Sequence, residues 1–227
     1  HSIRRRQRQM CIRDSSFPKE VSYFIAFLLI FFACIFDFFD GFVARLTSSS
    51  SKIGLQLDSF SDLISFSIAP SFLMFDVMQN SERFMSSTLE EGSLIPYFSF
   101  LLIPFAMYRL ARFNSGISMI NFQGLPTPAV GLFFMSLPFL PIDLTHTIIL
   151  ILIIIFSFLM VSSIEFYSIK INVKDNMRFL LILLMLYVIV FLGLIIIEED
   201  LLSFFSISII IYVTLNLVLK IFTRKKL

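Results

Sequence analysis

The chain has 227 residues, of which 57% are apolar and 30 are Phe, with no Trp; at a mean hydropathy of +0.90 this composition excludes a soluble globular domain. A formal net charge of +2 says little about partners, and no nucleic-acid partner is expected. Cys11 and Cys34 are too few for a disulfide framework. The fold class expected is all-α, a polytopic transmembrane helix bundle.

Before the first span lies H-S-I-R-R-R-Q-R-Q-M-C-I-R-D-S, with five Arg and no initiating Met. Two readings compete for residues 1–20: a basic cytoplasmic arm after a miscounted helix, or foreign sequence standing where a first helix is lost. The second is preferred. Apolar stretches able to cross about 30 Å of hydrocarbon at about 1.5 Å per residue then fall at 21–46, 54–78, 94–113, 144–164, 178–197 and 201–222. A shorter one at 128–141 follows Gly124-Leu125-Pro126-Thr127, with Pro138 expected to kink it. About seven spans are therefore expected in a membrane domain over 21–222, with a basic tail at 223–227.

The connecting charges set the orientation, because Lys and Arg accumulate on the cytoplasmic side. Arg45 and Lys52, then Arg109 and Arg112, then Lys170, Lys174 and Arg178, and finally Arg224, Lys225 and Lys226 fall on one side. Asp76, Glu82, Arg83, Glu90 and Glu91, then Asp143, then Glu198, Glu199 and Asp200 fall on the other. The basic side is expected to face the cytoplasm. His146 lies at an outer helix end, where an interfacial residue without a catalytic part is expected.

Within this apolar sequence four carboxylates, Asp37, Asp40, Asp58 and Asp62, lie on the first two spans. An Asp near the middle of a lipid-spanning helix costs about 2.5–3.5 kcal/mol, so something cationic must sit among them. Asp37, Asp40, Gly41, Ala44 and Arg45 follow i, i+3, i+4, i+7 and i+8, one stripe of a helix, and Gly54, Asp58 and Asp62 make a second at steps of four. With the turn near 46–53, Asp40 and Asp58 reach the same depth, on the order of 7–14 Å inside the turn. Oxygen-only ligands suit hard cations such as Mg²⁺, Mn²⁺ or Ca²⁺, and two divalent ions would balance four carboxylates. Metal pairs of this kind hold phosphates and stabilise charge during displacement at phosphorus. Small residues on the same stripes leave room for a large ligand, and Arg45 adds a planar donor suited to phosphate. Charge pairing with Arg45 or Lys52 would account for two of the acids only. An acid-lined cation transporter would account for all four but not for the Gly and Ala spacing.

The string D-F-F-D-G-F-V-A-R, eight residues, then G-L-Q-L-D-S-F-S-D resembles the signature of the CDP-alcohol phosphatidyltransferases, D-x2-D-G-x2-A-R-x8-G-x3-D-x3-D, at every fixed position. The resemblance implies a membrane enzyme, commonly a homodimer, that binds two divalent cations and a CDP-linked lipid and exchanges CMP for an alcohol. It implies Asp37, Asp40, Asp58 and Asp62 as metal ligands, with Mg²⁺ or Mn²⁺ as the ion, and Asp62 also as the base that deprotonates the attacking hydroxyl. Gly41, Ala44, Gly54 and Arg45 would line the nucleotide and diphosphate pocket. The segments R-L-A-R-F-N at 109–114 and G-L-P-T-P-A at 124–129 resemble the bacterial phosphatidylserine synthases, which implies CDP-diacylglycerol and L-serine as substrates in a bacterial inner membrane, with the active site facing the cytoplasm. Glycerol 3-phosphate or inositol are the alternative acceptors. Arg109 and Arg112, i and i+3 at a cytoplasmic helix end, could clamp diphosphate or serine carboxylate or anchor the interface. Thr127 could cap a helix whose N-terminus attracts an anion. The first helix usual in the family, with its Pro-Asn entry, has no counterpart before Val21.

Overall fold

The structure, a computed structural model, describes residues 19–47, 52–80, 93–115, 124–142, 144–164, 185–191, 193 and 202–224. Among these the chain is helical throughout, with no strand. Helix α1 spans Lys19–Thr47, α2 Lys52–Leu63 and α3 Ala69–Asn80, the last two joined through a π turn at Ile64–Ile68. A 3₁₀ segment at Ile95–Leu101 runs into α4, Leu102–Asn114; α5 spans Thr127–Ser136, α6 His146–Val161 and α7 Ser203–Arg224. Residues 185–191 are also helical. Helix α1 ends at Thr47 and α2 begins at Lys52, within the 46–53 interval expected between them.

Among the described residues two helices are long and apolar enough to cross a membrane, Val21–Gly41 and Ile53–Gln79. The apolar helices at Thr127–Phe139, His146–Val161 and Ser203–Leu217 are shorter. Pro138 does what the sequence suggests: α5 stops at Ser136 and tightens into a 3₁₀ turn at Leu137–Phe139, since a proline ring excludes a regular continuation. The basic arm at 1–18 and the loop charges at 81–92, 165–184 and 194–200 lie outside the described residues. Asp76, grouped by sequence with an outer connection, instead lies within α3 and accepts a hydrogen bond from the Tyr23 hydroxyl at 2.9 Å.

The short helix α5 is the centre of the bundle. Val130, Gly131, Phe133, Phe134 and Met135 are all buried, and α5 touches α1, α2, the π turn, α3 and α7. A helix apolar on every side has no face for solvent or lipid, which is why it can be short and still sit at the core. Phe133 stacks on Phe156 of α6 at 4.2 Å, and Phe27 of α1 meets Phe205 of α7 at 5.2 Å. Ser136 and Ser206 share a buried hydrogen bond of 2.6 Å, joining α5 to α7 by a polar contact of the kind that binds helices where apolar surface alone gives no preference.

The π turn has an identifiable cause. Pro70 carries no N–H, and in a regular helix its ring would press on the carbonyl four residues back, that of Phe66. The wider turn absorbs the misfit, with the Ala69 N–H bonded to the Ile64 carbonyl. Such a turn adds one residue and so rotates the following face by roughly 100°. The acid-bearing face of α2 and the packed face of α3 can thus serve different neighbours.

At the opposite end of the bundle His146 is 3% exposed, and its Nε2 lies 2.8 Å from the Met78 carbonyl. A carbonyl can only accept, so Nε2 is the donor. The expectation of an interfacial histidine is corrected: its ring is buried and satisfies a carbonyl near the end of α3, where the last four carbonyls lack helical partners.

Candidate active site

Helix α1 presents Asp37, Asp40 and Gly41, and α2 presents Gly54, Asp58 and Asp62, to one cavity of about 790 Å³. Ala33, Phe36, Leu55, Leu57, Ser61, Ser65 and Phe66 complete its lining. Both sets follow from helical arithmetic, since steps of three and four keep side chains on one face. Asp37, Asp40 and Asp58 each bring a carboxylate oxygen within 4.8 Å of the others. Asp62, one turn further along α2, makes hydrogen-bond contact with Asp37. Carboxylates at such distances need a shared proton or a cation between them.

The donor set can be tested against a metal. Two oxygens bound to one ion at about 2.1 to 2.4 Å are at most about 4.2 to 4.8 Å apart, so the three-carboxylate group is already at or within a small side-chain rotation of that limit. All donors are oxygen, the class preferred by Mg²⁺, Mn²⁺ and Ca²⁺. The residues fit a hard divalent cation. Asp40 and Asp58 are exposed to the cavity and Asp37 is half-buried, so the group is open to an entering ligand.

Gly41 and Gly54 line the cavity as the small-residue spacing anticipates. Ala44 and Arg45 fall on the last turns of α1, and their side chains lie outside the described residues. Ser61 and Ser65 were missed by motif reasoning, although they stand three and seven residues after Asp58 on the same stripe, a signal helical periodicity could have supplied. Phe66 enters the lining through the π turn, which the sequence marks only by Pro70.

The two arginines of α4 part company. Arg109 lies within electrostatic reach of Asp62 without lining the cavity, and its Nη1 donates to Thr127 Oγ1 at 3.1 Å. Arg112 turns to the end of α6, donating from Nη1 to the Val161 carbonyl at 2.9 Å and from Nη2 to the Ser162 carbonyl at 3.5 Å. A cation there meets the negative end of the helix. The Arg112 guanidinium is thereby placed as a helix cap. Asn114 closes the same helix by donating to Ser59 at 2.9 Å, which ties α4 to α2 beside Asp58.

Thr127 does not cap α5 as expected. The N-cap is Pro126, with no side-chain cap bond, and the Thr127 hydroxyl accepts from Arg109 instead. The entry to α5 is held by backbone: Gly124 adopts φ 80°, its N–H bonds the Ile164 carbonyl at 2.8 Å, and the Leu125 N–H bonds the Leu159 carbonyl at 3.1 Å. That φ favours glycine, and an added Cβ would collide with the Met160 carbonyl oxygen.

Comparison with known proteins places these residues in context. Residues 10–191 match the CDP-alcohol phosphatidyltransferase family. A curated relative from Methanocaldococcus jannaschii, named CDP-diacylglycerol--serine O-phosphatidyltransferase, is 34% identical over 141 residues, 62% of this chain and 63% of that protein. Proteins of the same name from Bacillus subtilis and Helicobacter pylori are 34% and 31% identical, covering 67% and 77% of this chain and 80% and 73% of theirs. The chain thus spans slightly less than two thirds of the first of these relatives.

Proposed function

The chain belongs to the CDP-alcohol phosphatidyltransferase family, and we propose that it transfers the phosphatidyl group of CDP-diacylglycerol to the hydroxyl of L-serine, giving phosphatidylserine and CMP. The observation that carries this reading is the convergence of Asp37, Asp40, Asp58 and Asp62 on one cavity. The names of the relatives support serine as the acceptor. The protein works as a membrane bundle over 21–222, its acid cluster near the cytoplasmic face, and as a homodimer.

Asp37, Asp40, Asp58 and Asp62 would hold two divalent cations, Mg²⁺ or Mn²⁺, which when bound supply charge to the diphosphate and to the departing CMP. Gly41 and Gly54, with Ala44 and Arg45, leave room for the nucleotide and its diphosphate. Asp62, at the deeper end of the cluster, accepts the proton of the attacking hydroxyl. The bond from the serine oxygen to the lipid-bearing phosphorus forms, the bond from that phosphorus to the CMP oxygen breaks, and CMP leaves with the electron pair. Fixing the hydroxyl beside a helix-borne base supplies orientation that solution does not. Arg109 carries the positive charge on the acceptor side of the helix bundle.

The decisive assay offers serine, glycerol 3-phosphate and inositol separately to the purified protein with labelled CDP-diacylglycerol. Serine-dependent CMP release with formation of phosphatidylserine is expected. Asp62→Asn is expected to abolish that release while the protein stays folded; wild-type-like turnover by this variant refutes the role given to Asp62. Ion flux independent of a CDP-lipid would favour the transporter reading instead.

A further inference from the structure

We infer that Arg109 is the receptor for the acceptor's carboxylate, and that Thr127 is the positioning residue that holds its guanidinium in place; the inference rests on the phosphatidyltransferase reading and names what selects the alcohol. Three observations carry it. First, the hydrogen bonds of Arg109 are incompletely met. One N–H goes to a neutral hydroxyl, and the buried Nε has no hydrogen-bond partner among the described residues. A guanidinium offers five donors and is always charged, and a desolvated cation with unmet donors is costly until an anion reaches it.

Second, the position is selective. Arg109 lies on α4, which Asn114 ties to α2 at Ser59, three residues before Asp62, and its charge reaches Asp62, the group assigned to the attacking hydroxyl. In serine the hydroxyl and the carboxylate sit on adjacent carbons. An acceptor whose hydroxyl faces Asp62 then has its carboxylate directed toward the Arg109 side of α2, while the diphosphate belongs with the acid cluster. Inositol carries no anion for this cation. Glycerol 3-phosphate carries a dianion further from its attacking hydroxyl, and the next arginine along, Arg112, is engaged with the end of α6.

Third, the arrangement is pre-organised. Thr127 is fully buried on the first turn of α5, whose entry is pinned by the Gly124 and Leu125 backbone bonds. Its hydroxyl therefore has a fixed location, and the guanidinium bonded to it has little freedom to swing away. Such restraint lowers the ordering cost of binding.

The test measures binding of radiolabelled L-serine to the purified full chain, alongside steady-state kinetics with L-serine and with serinol, which keeps the hydroxyl but lacks the carboxylate. For Arg109→Ala the KM for serine is expected to rise by about tenfold or more, the loss of a charge-assisted hydrogen bond, with the KM for CDP-diacylglycerol within about threefold. Discrimination between serine and serinol should collapse in the same variant. Thr127→Val should raise the serine KM with little change in kcat, and Thr127→Ser should restore it. Arg109→Lys keeps the charge without the planar fork and is expected to fall between wild type and Arg109→Ala, which separates loss of recognition from loss of fold. Equal rises in both KM values, or undiminished preference for serine over serinol in Arg109→Ala, overturn the inference. Serine binding lost in Arg109→Ala but present in a wild type that releases no CMP would uphold the subsite and refute the transferase reading; a wild type that binds no serine refutes the subsite.

Discussion

Asn114 donates from Nδ2 to the Ser59 hydroxyl at 2.9 Å, so the end of α4 is bolted to α2 one residue from Asp58. The Ser59 hydroxyl itself donates to the Leu55 carbonyl at 3.1 Å, whereas the Asn114 Oδ1 is buried without a hydrogen-bond partner among the described residues. The two ends of this contact are therefore unequal. Removing Asn114 leaves Ser59 with a partner; removing Ser59 leaves an amide stranded. Ser59→Ala is expected to destabilise by about 1–3 kcal/mol and Asn114→Ala by about 0.5–1.5 kcal/mol. Thermal melting in detergent checks the order, and a lower Tm for Asn114→Ala than for Ser59→Ala would refute it.

Gly131 sits where α5 meets the π turn, and a Cβ there would lie 2.8 Å from Phe66 Cα and 3.0 Å from its carbonyl oxygen. Backbone cannot step aside as a flexible side chain can, so Gly131→Ala should cost about 1–3 kcal/mol. Because Phe66 lines the cavity, turnover should fall with stability. Gly193, where an added Cβ meets no atom of the described residues within 4 Å, supplies the control, and Gly193→Ala is expected to leave Tm and turnover near wild type.

Divalent cations should stabilise the protein as well as activate it, since a ligand present at 100 times its Kd adds about 2.7 kcal/mol to the folded state. Mn²⁺ is therefore expected to raise the Tm of wild type, and a chelator to lower it and stop CMP release. In Asp58→Asn, which removes one member of the three-carboxylate group, both responses should weaken together. A full Mn²⁺ shift in that variant would place the ion elsewhere.

Arg112 and Arg109 should fail differently when cut to Ala. Arg112 faces the carbonyls that end α6, and a cation at a helix C-terminus contributes about 0.3–2 kcal/mol. Arg112→Ala is expected to lower Tm while leaving the serine KM within about twofold, as a contact remote from substrate would. A serine KM that rises as far as in Arg109→Ala would return Arg112 to the substrate side.

The helix boundaries near the acids and the convergence of Asp37, Asp40 and Asp58 were legible because they depend on local periodicity. A side chain's face on a helix follows from its position, and a short turn brings two such faces to one depth. His146 and Asp76 were misread for the opposite reason. Each lies near a helix end where hydropathy suggests an interface, yet each meets a group more than fifty residues away, Met78 and Tyr23. Hydropathy carries no record of such partners.

The sequence alone therefore determined the carboxylate set, its spacing and its oxygen-only chemistry, because the geometry of a helix converts chain position directly into direction. Only the tertiary structure decided which of two arginines three residues apart bonds the start of α5 and which closes α6. Arg109 and Arg112 share charge, helix and depth; what separates them is Thr127, 18 residues along the chain from the first, and Val161, 49 residues from the second, and distant partners of that kind are set by packing.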